Sequence, residues 1–100
     1  MKQNEMPRVK IGSVLEVSVR ENVGRTLVDS KTFDRNYQIV GYYKGLMENP
    51  SGRGGPGEKG ICLTSNSSKD GGNNVYISFE DHNIGYSFLV AKKIKVIRKA

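Results

Sequence analysis

Three groups of residues in this chain have types that could do chemistry: the polar trio Glu80, Asp81 and His82, the single thiol Cys62, and a glycine-rich run from Gly52 to Gly60. The trio suggests a metal site or an acid–base pair. A metal would need further ligands from other strands, and His82 is the only histidine in the chain. Asp81 and Asn83 are also favoured turn residues, so a hairpin turn accounts for them without chemistry. Cys62 stands between Ile61 and Leu63 in an apolar stretch. It reads as a packed or partly exposed thiol, since a nucleophile would need a lowered pKa and a paired base. The run Gly52-Arg-Gly-Gly-Pro-Gly-Glu-Lys-Gly approaches a phosphate-cradling loop. However, Glu58 takes the place of that loop's lysine, no Ser or Thr follows Lys59, and a strand follows where a helix must open. ATPase and GTPase activities are excluded on these grounds. No nucleophile with its base can be picked out, so the expectation is a protein that is not an enzyme, with no catalytic residue, no metal site and no cofactor.

Residues suited to binding are easier to find. Between Ala91 and Ala100 stand Lys92, Lys93, Lys95, Arg98 and Lys99 with no acidic residue, against a net charge of +6 for the whole chain. Such a segment attracts phosphates, anionic nucleotides or an acidic protein face. It would equally keep a closing or edge strand soluble and discourage edge-to-edge pairing. Tyr37, Tyr42, Tyr43, Tyr76 and Tyr86 form a second set. Alternation directs Tyr42 and Tyr76 outward, opposite to Ile39, Tyr43, Ile77 and Phe79. Exposed tyrosines interleaved with Lys and Arg offer stacking plus phosphate contacts, and would serve a nucleotide, a nucleic acid or a protein. Filling the core and covering its ends is the other role open to these rings. Arg53-Gly54-Gly55 is one copy of a tripeptide that binds RNA in repeated form, set in what also reads as a plain flexible loop. The candidate binding residues are therefore Tyr42, Tyr76, Arg53, Lys92, Lys93, Lys95 and Arg98.

The elements that must position these residues are strands. Val14 to Arg20 alternates, with Leu15, Val17 and Val19 on one face and Glu16, Ser18 and Arg20 on the other. Thr26 to Asp29 reads as a short return strand. Asn36 to Lys44 is the next strong strand, and Gly41 within it marks a bulge, a bend or a close backbone approach. Gly60 to Thr64, Val75 to Glu80, Gly85 to Ala91 and Lys93 to Ile97 complete the set. Residues 1–9 read as a flexible arm and residues 48–60 as a mobile glycine-rich loop that packs no core. Asp70-Gly71-Gly72 is a strong hairpin signal. No helical period is sustained, so at most one short 3₁₀ turn is expected, at Val90 to Lys93. The predicted core is Leu15, Val17, Val19, Ile39, Ile61, Leu63, Ile77, Phe79, Phe88 and Ile94.

At 100 residues the chain is expected to form one domain. A single cysteine cannot make an internal disulfide, the first residues show no apolar signal region, and no stretch is long enough to span a bilayer. A cytoplasmic protein without membrane contact is the expectation, which also leaves the glycosylation pattern at Asn66 to Ser68 unused.

Five to seven short, bent antiparallel strands joined by glycine-rich turns solve their edge problem by closing on themselves. The segment Lys10-Ile-Gly-Ser-Val-Leu-Glu-Val resembles the opening of SH3-like and KOW-type barrels, where a glycine precedes the first strand. Val75 to His82, Gly85 to Leu89 and Ile94 to Ile97 are similar to the closing hairpin and last strand of small SH3-like proteins, many encoded by bacteriophages. The resemblance covers both ends of the chain and little of Asp29 to Asn74. It implies an all-β, small SH3-like barrel that acts by binding. The leading expectation is a phage-encoded regulator or anti-defence protein, in the host cytoplasm, that blocks a host protein or captures an anionic nucleotide signal. The alternative is direct recognition of RNA or DNA through the basic strand and the tyrosines.

Overall fold

The computed structural model describes residues 1–22, 35–50, 52, 57–67, 72–81 and 88–100. Their architecture is all-β: β1 (Val14–Asn22), β2 (Arg35–Glu48), β3 (Lys59–Thr64), β4 (Asn74–Ser78) and β5 (Phe88–Arg98), with a 3₁₀ turn at Gln3–Glu5. The strands pair in chain order and β5 returns to β1, so the sheet closes into a ring. Closure follows from the alternation. Each strand has one apolar face, and a ring turns all of those faces onto one another while leaving no long open edge. Leu15, Val17, Val19, Tyr43, Ile61, Leu63, Ile77, Phe79, Ala91 and Ile94 form the shared core. Phe88 and Val90 are buried as well. Ile39, expected inside, is only partly buried against that core.

Glycines set the ring's tight points. Gly12 has φ +99° in the turn that delivers Ser13 to β1, with the Ser13 amide bonded to the Lys10 carbonyl at 3.1 Å. Gly41 does mark a close approach: a Cβ there would lie 3.0 Å from the Thr64 carbonyl oxygen. The bulge in β2 falls later, between Tyr43 and Gly45.

Several expectations are corrected. Val75 to Glu80 and Gly85 to Ala91 were to form an antiparallel closing hairpin, yet β4 and β5 pair in parallel, Ile77 with Leu89 and Ser78 with Val90. The other pairings are antiparallel. Phe88 to Ala91, the described part of the strand expected over Gly85 to Ala91, and Lys93 to Ile97, read as a separate strand, belong to the single β5. Its ladder with β1 skips Lys92 and Ile97. An extra residue at each point shifts the alternation, which makes one strand look like two and replaces the 3₁₀ turn expected at Val90 to Lys93.

Residues 1–9 are not a free arm. Met1, Met6 and Val9 pack against the core, and the Met1 amino group donates to the carbonyls of Phe79 (2.8 Å) and Ala91 (3.0 Å). By register these two carbonyls stand where the parallel β4–β5 ladder would take its next step, so the amine bridges the strands as they part. The loop expected over 48–60 is also shorter. Glu48 ends β2, Lys59 and Gly60 begin β3, and the Asn49 amide donates to the Glu58 carbonyl at 2.9 Å. Glu58 is buried, where its carboxylate accepts a 2.7 Å hydrogen bond from the Ser78 hydroxyl. The segment that was to pack no core thus contributes a buried acid held by β4. The strand expected at Thr26 to Asp29, the turn at Asp70 and Gly71, His82, and Arg53 lie outside the described residues.

Candidate functional site

The candidate site is built from the outer face of β5, β1 and β2, and the two bulges of β5 make it. Alternation alone would turn every second residue of β5 inward. The extra residues at Lys92 and Ile97 instead leave the neighbouring pairs Lys92 and Lys93, and Ile97 and Arg98, exposed together. Ala91 and Ile94, three apart, both remain in the core. The register across the face is fixed by β1: Lys93 opposes Ser18, Lys95 opposes Glu16 and Arg98 opposes Val14. On the other side of β1, Gln38, Val40 and Tyr42 oppose the same Ser18, Glu16 and Val14. Rows of three therefore run across the sheet, and one of them is Arg98, Val14, Tyr42.

This last row floors a groove of about 570 Å³ lined by Val14, Val40, Gly41, Tyr42, Ser65, Ile97 and Arg98. Apart from Arg98 its lining among the described residues is uncharged. Val40 (60% exposed) and Ile97 (49%) leave apolar surface in water beside it. Among the described residues, the side chains of Lys93, Lys95 and Arg98 have no ion-pair or hydrogen-bond partner. Lys92 reaches the Asn36 side-chain oxygen at 3.5 Å, and Arg20 on β1 is ion-paired with Asp81. Glu16 is the acid in the middle of the face, directly across from Lys95. The face thus carries a row of uncommitted cations ending at a mostly apolar groove that Arg98 itself lines.

Of the residues singled out from the sequence, Tyr42, Arg98, Lys95, Lys93 and Lys92 are brought onto this one face. Tyr76 is not. It is 46% exposed on β4, opposite Cys62, with β3 between it and β2. Val14, Val40, Ile97 and Ser65 are groove residues that the sequence reading missed. Alternation did place Val40 on the same side as Tyr42, which was a usable signal; Ile97 depended on a bulge that had none. Cys62 is half-buried, and burial pushes its thiol pKa up while the Lys44 ammonium pulls it down. A raised pKa leaves little thiolate at neutral pH.

A second surface lies at one end of the ring. Leu46 pairs with the fully buried Ile61 and so sits in inward register, yet it is 55% exposed. Beside it a groove of about 390 Å³ runs between β2 and the N-terminal segment, lined by Met6, Arg8, Val9 and Tyr43 among others. Ile11, 67% exposed, lies over Gly45 close by. Among the described residues no three of His, Cys, Asp and Glu come together in a way that could hold a metal ion. No helix among them is long and apolar enough to cross a membrane. No family model, curated protein or solved structure matches this chain.

Proposed function

We propose that the chain is a non-catalytic binding domain of SH3-like barrel type that takes an anionic partner on the outer face of β5, β1 and β2. The observation that carries this reading is the uncommitted row Lys93, Lys95 and Arg98 beside the groove at Tyr42. Lysines needed only for solubility could stand anywhere on the surface, whereas here they follow one strand and end at a concave, mostly apolar site. The barrel type is supported by the closed five-strand ring, the β1–β5 pairing and the glycine turn at Gly12. The resemblance to phage-encoded barrels supplies a setting: a small regulator or anti-defence protein that intercepts an anionic signal or nucleic acid in the host cytoplasm.

Retention on a heparin column tests the reading. The triple variant Lys93→Glu, Lys95→Glu, Arg98→Glu should stay folded by circular dichroism and elute at much lower salt than Arg8→Glu, Lys10→Glu. Equal elution of the two variants would remove the face from consideration.

One observation favours a second reading, in which the protein blocks a host protein. Leu46 and Ile11 are apolar and exposed beside Arg8, a composition suited to a partner with apolar anchors and acidic flanks. A partner captured from nuclease-treated lysate, lost with Leu46→Asp and retained by the triple variant, would establish it.

A further inference from the structure

Resting on the anion-binding reading of this face, we propose that its ligand is a single-stranded nucleic acid, with backbone phosphates on Lys93, Lys95 and Arg98 and a base against Tyr42. Lys93 and Lys95 are same-face neighbours on one strand, about 6.8 Å apart at the usual strand rise. The row continues through the bulge to Arg98, so the cations are strung out along β5 and not gathered around one point. A free phosphate or a mononucleotide needs a cluster. A row suits a chain of phosphates, and counterion release makes each added contact favourable.

What stands at the end of the row decides between kinds of polyanion. Beyond Arg98, the Tyr42, Val14, Val40 and Ile97 side chains make an uncharged, part-aromatic stretch of the groove that offers a phosphate no contact. A planar base fits it: stacking on an aromatic ring tolerates any base, and Ser65, whose hydroxyl accepts from the Asn73 amide at 3.1 Å and keeps its own hydrogen to donate, also lines the groove. In a duplex the bases are stacked inside, so a duplex would engage the lysines and leave the groove empty. The pairing of Tyr42 and Arg98 through Val14 places stacking and phosphate contacts across one intervening strand, within the reach of one nucleotide unit and its neighbour.

The experiment is a fluorescence-anisotropy titration of labelled dT12 and rU12, with a 12-base-pair duplex and polyglutamate for comparison, at several salt concentrations. The single strands should bind more tightly than the duplex, with a log–log salt slope of about −2 for three contacts at roughly 0.7 each. Tyr42→Ala should weaken dT12 binding about tenfold or more while keeping that slope. Tyr42→Leu, which retains apolar packing, should weaken it comparably, and Tyr42→Phe should not. Should the alanine variant fail to fold, the leucine and phenylalanine variants decide. Equal binding of duplex and single strand, with Tyr42→Leu unchanged, would overturn the proposal and leave a face that reads phosphate alone. Polyglutamate binding in preference to every nucleic acid would point to an acidic protein. If no polyanion binds at all, the anion-binding reading falls with it.

Discussion

Tyr42 on β2 and Arg98 on β5 both take Val14 as their register partner, one from each side of β1. An aromatic ring and a guanidinium contributed by residues 56 positions apart thereby share one groove, and neither the spacing nor the composition of the chain could have announced it. The bulge at Ile97 is what turns Arg98 out at that level, so the site depends on a local irregularity of a strand otherwise built for closure.

Phe79 tests the core. It is 2% exposed, and its backbone accepts from the Met1 amine while its amide donates to the Lys59 carbonyl. Phe79→Ala should cost on the order of 3 kcal/mol or more, read as a lower urea midpoint. An unchanged midpoint would take Phe79 out of the core.

Gly60 tests the register of β3 with β4. A Cβ at this position would stand 2.1 Å from the Ile77 carbonyl oxygen and 2.5 Å from the Pro50 ring. Backbone cannot yield as a side chain can, so Gly60→Ala should destabilise by about 1–3 kcal/mol or more. Gly52→Ala serves as a comparison because it meets no neighbour among the described residues, although its φ of +83° brings a conformational cost of its own. A Gly60→Ala protein as stable as wild type would contradict the Gly60–Ser78 pairing.

The buried Glu58 and Ser78 test how the Gly-rich segment is tied down. Ser78→Ala removes the hydroxyl that donates to the carboxylate, and should cost about 1–3 kcal/mol because a buried acceptor loses a partner. Amide exchange at Asn49, bonded to the Glu58 carbonyl, should accelerate in the same variant. Unaltered stability and exchange would show that Glu58 is held by other means.

Alkaline pH tests Tyr43. Burial raises its phenol above the ordinary value of 10.0. A raised folded-state pKa means that the stabilisation is fully present below the unfolded value and is lost as pH climbs through the folded one. The urea midpoint should therefore fall as pH rises past 10.0, and Tyr43→Phe should lessen that fall. Tyr37, raised by partial burial and by the Glu21 carboxylate, contributes in the same direction. A midpoint that rises with pH in this range would contradict the inward placement of Tyr43.

Much of the ring was legible because alternation is a local signal: Leu15, Val17 and Val19, then Ile61 and Leu63, declare an inner face within a few residues of one another. What was not legible depended on residues far apart or on broken periods. Lys92 and Ile97 interrupt the alternation of β5, so one strand read as two. The direction of β5 relative to β4 is set by its long ladder with β1, which no turn residue between Asp81 and Phe88 encodes. Glu58 looked like loop chemistry because its partner, Ser78, lies on another strand. For the site, the basic residues and Tyr42 were visible as types, whereas the separation of Tyr76 from Tyr42 by β3 follows only from strand order.

An amide NMR titration of the intact chain with dT12 locates the nucleic-acid face by the residues that shift. The largest changes are expected on Val14, Val40, Tyr42, Lys93, Lys95 and Arg98, residues of the groove and the basic row. Changes confined to Arg8, Ile11 and Leu46 at the end of the ring, with β5 and Tyr42 unmoved, would contradict that placement.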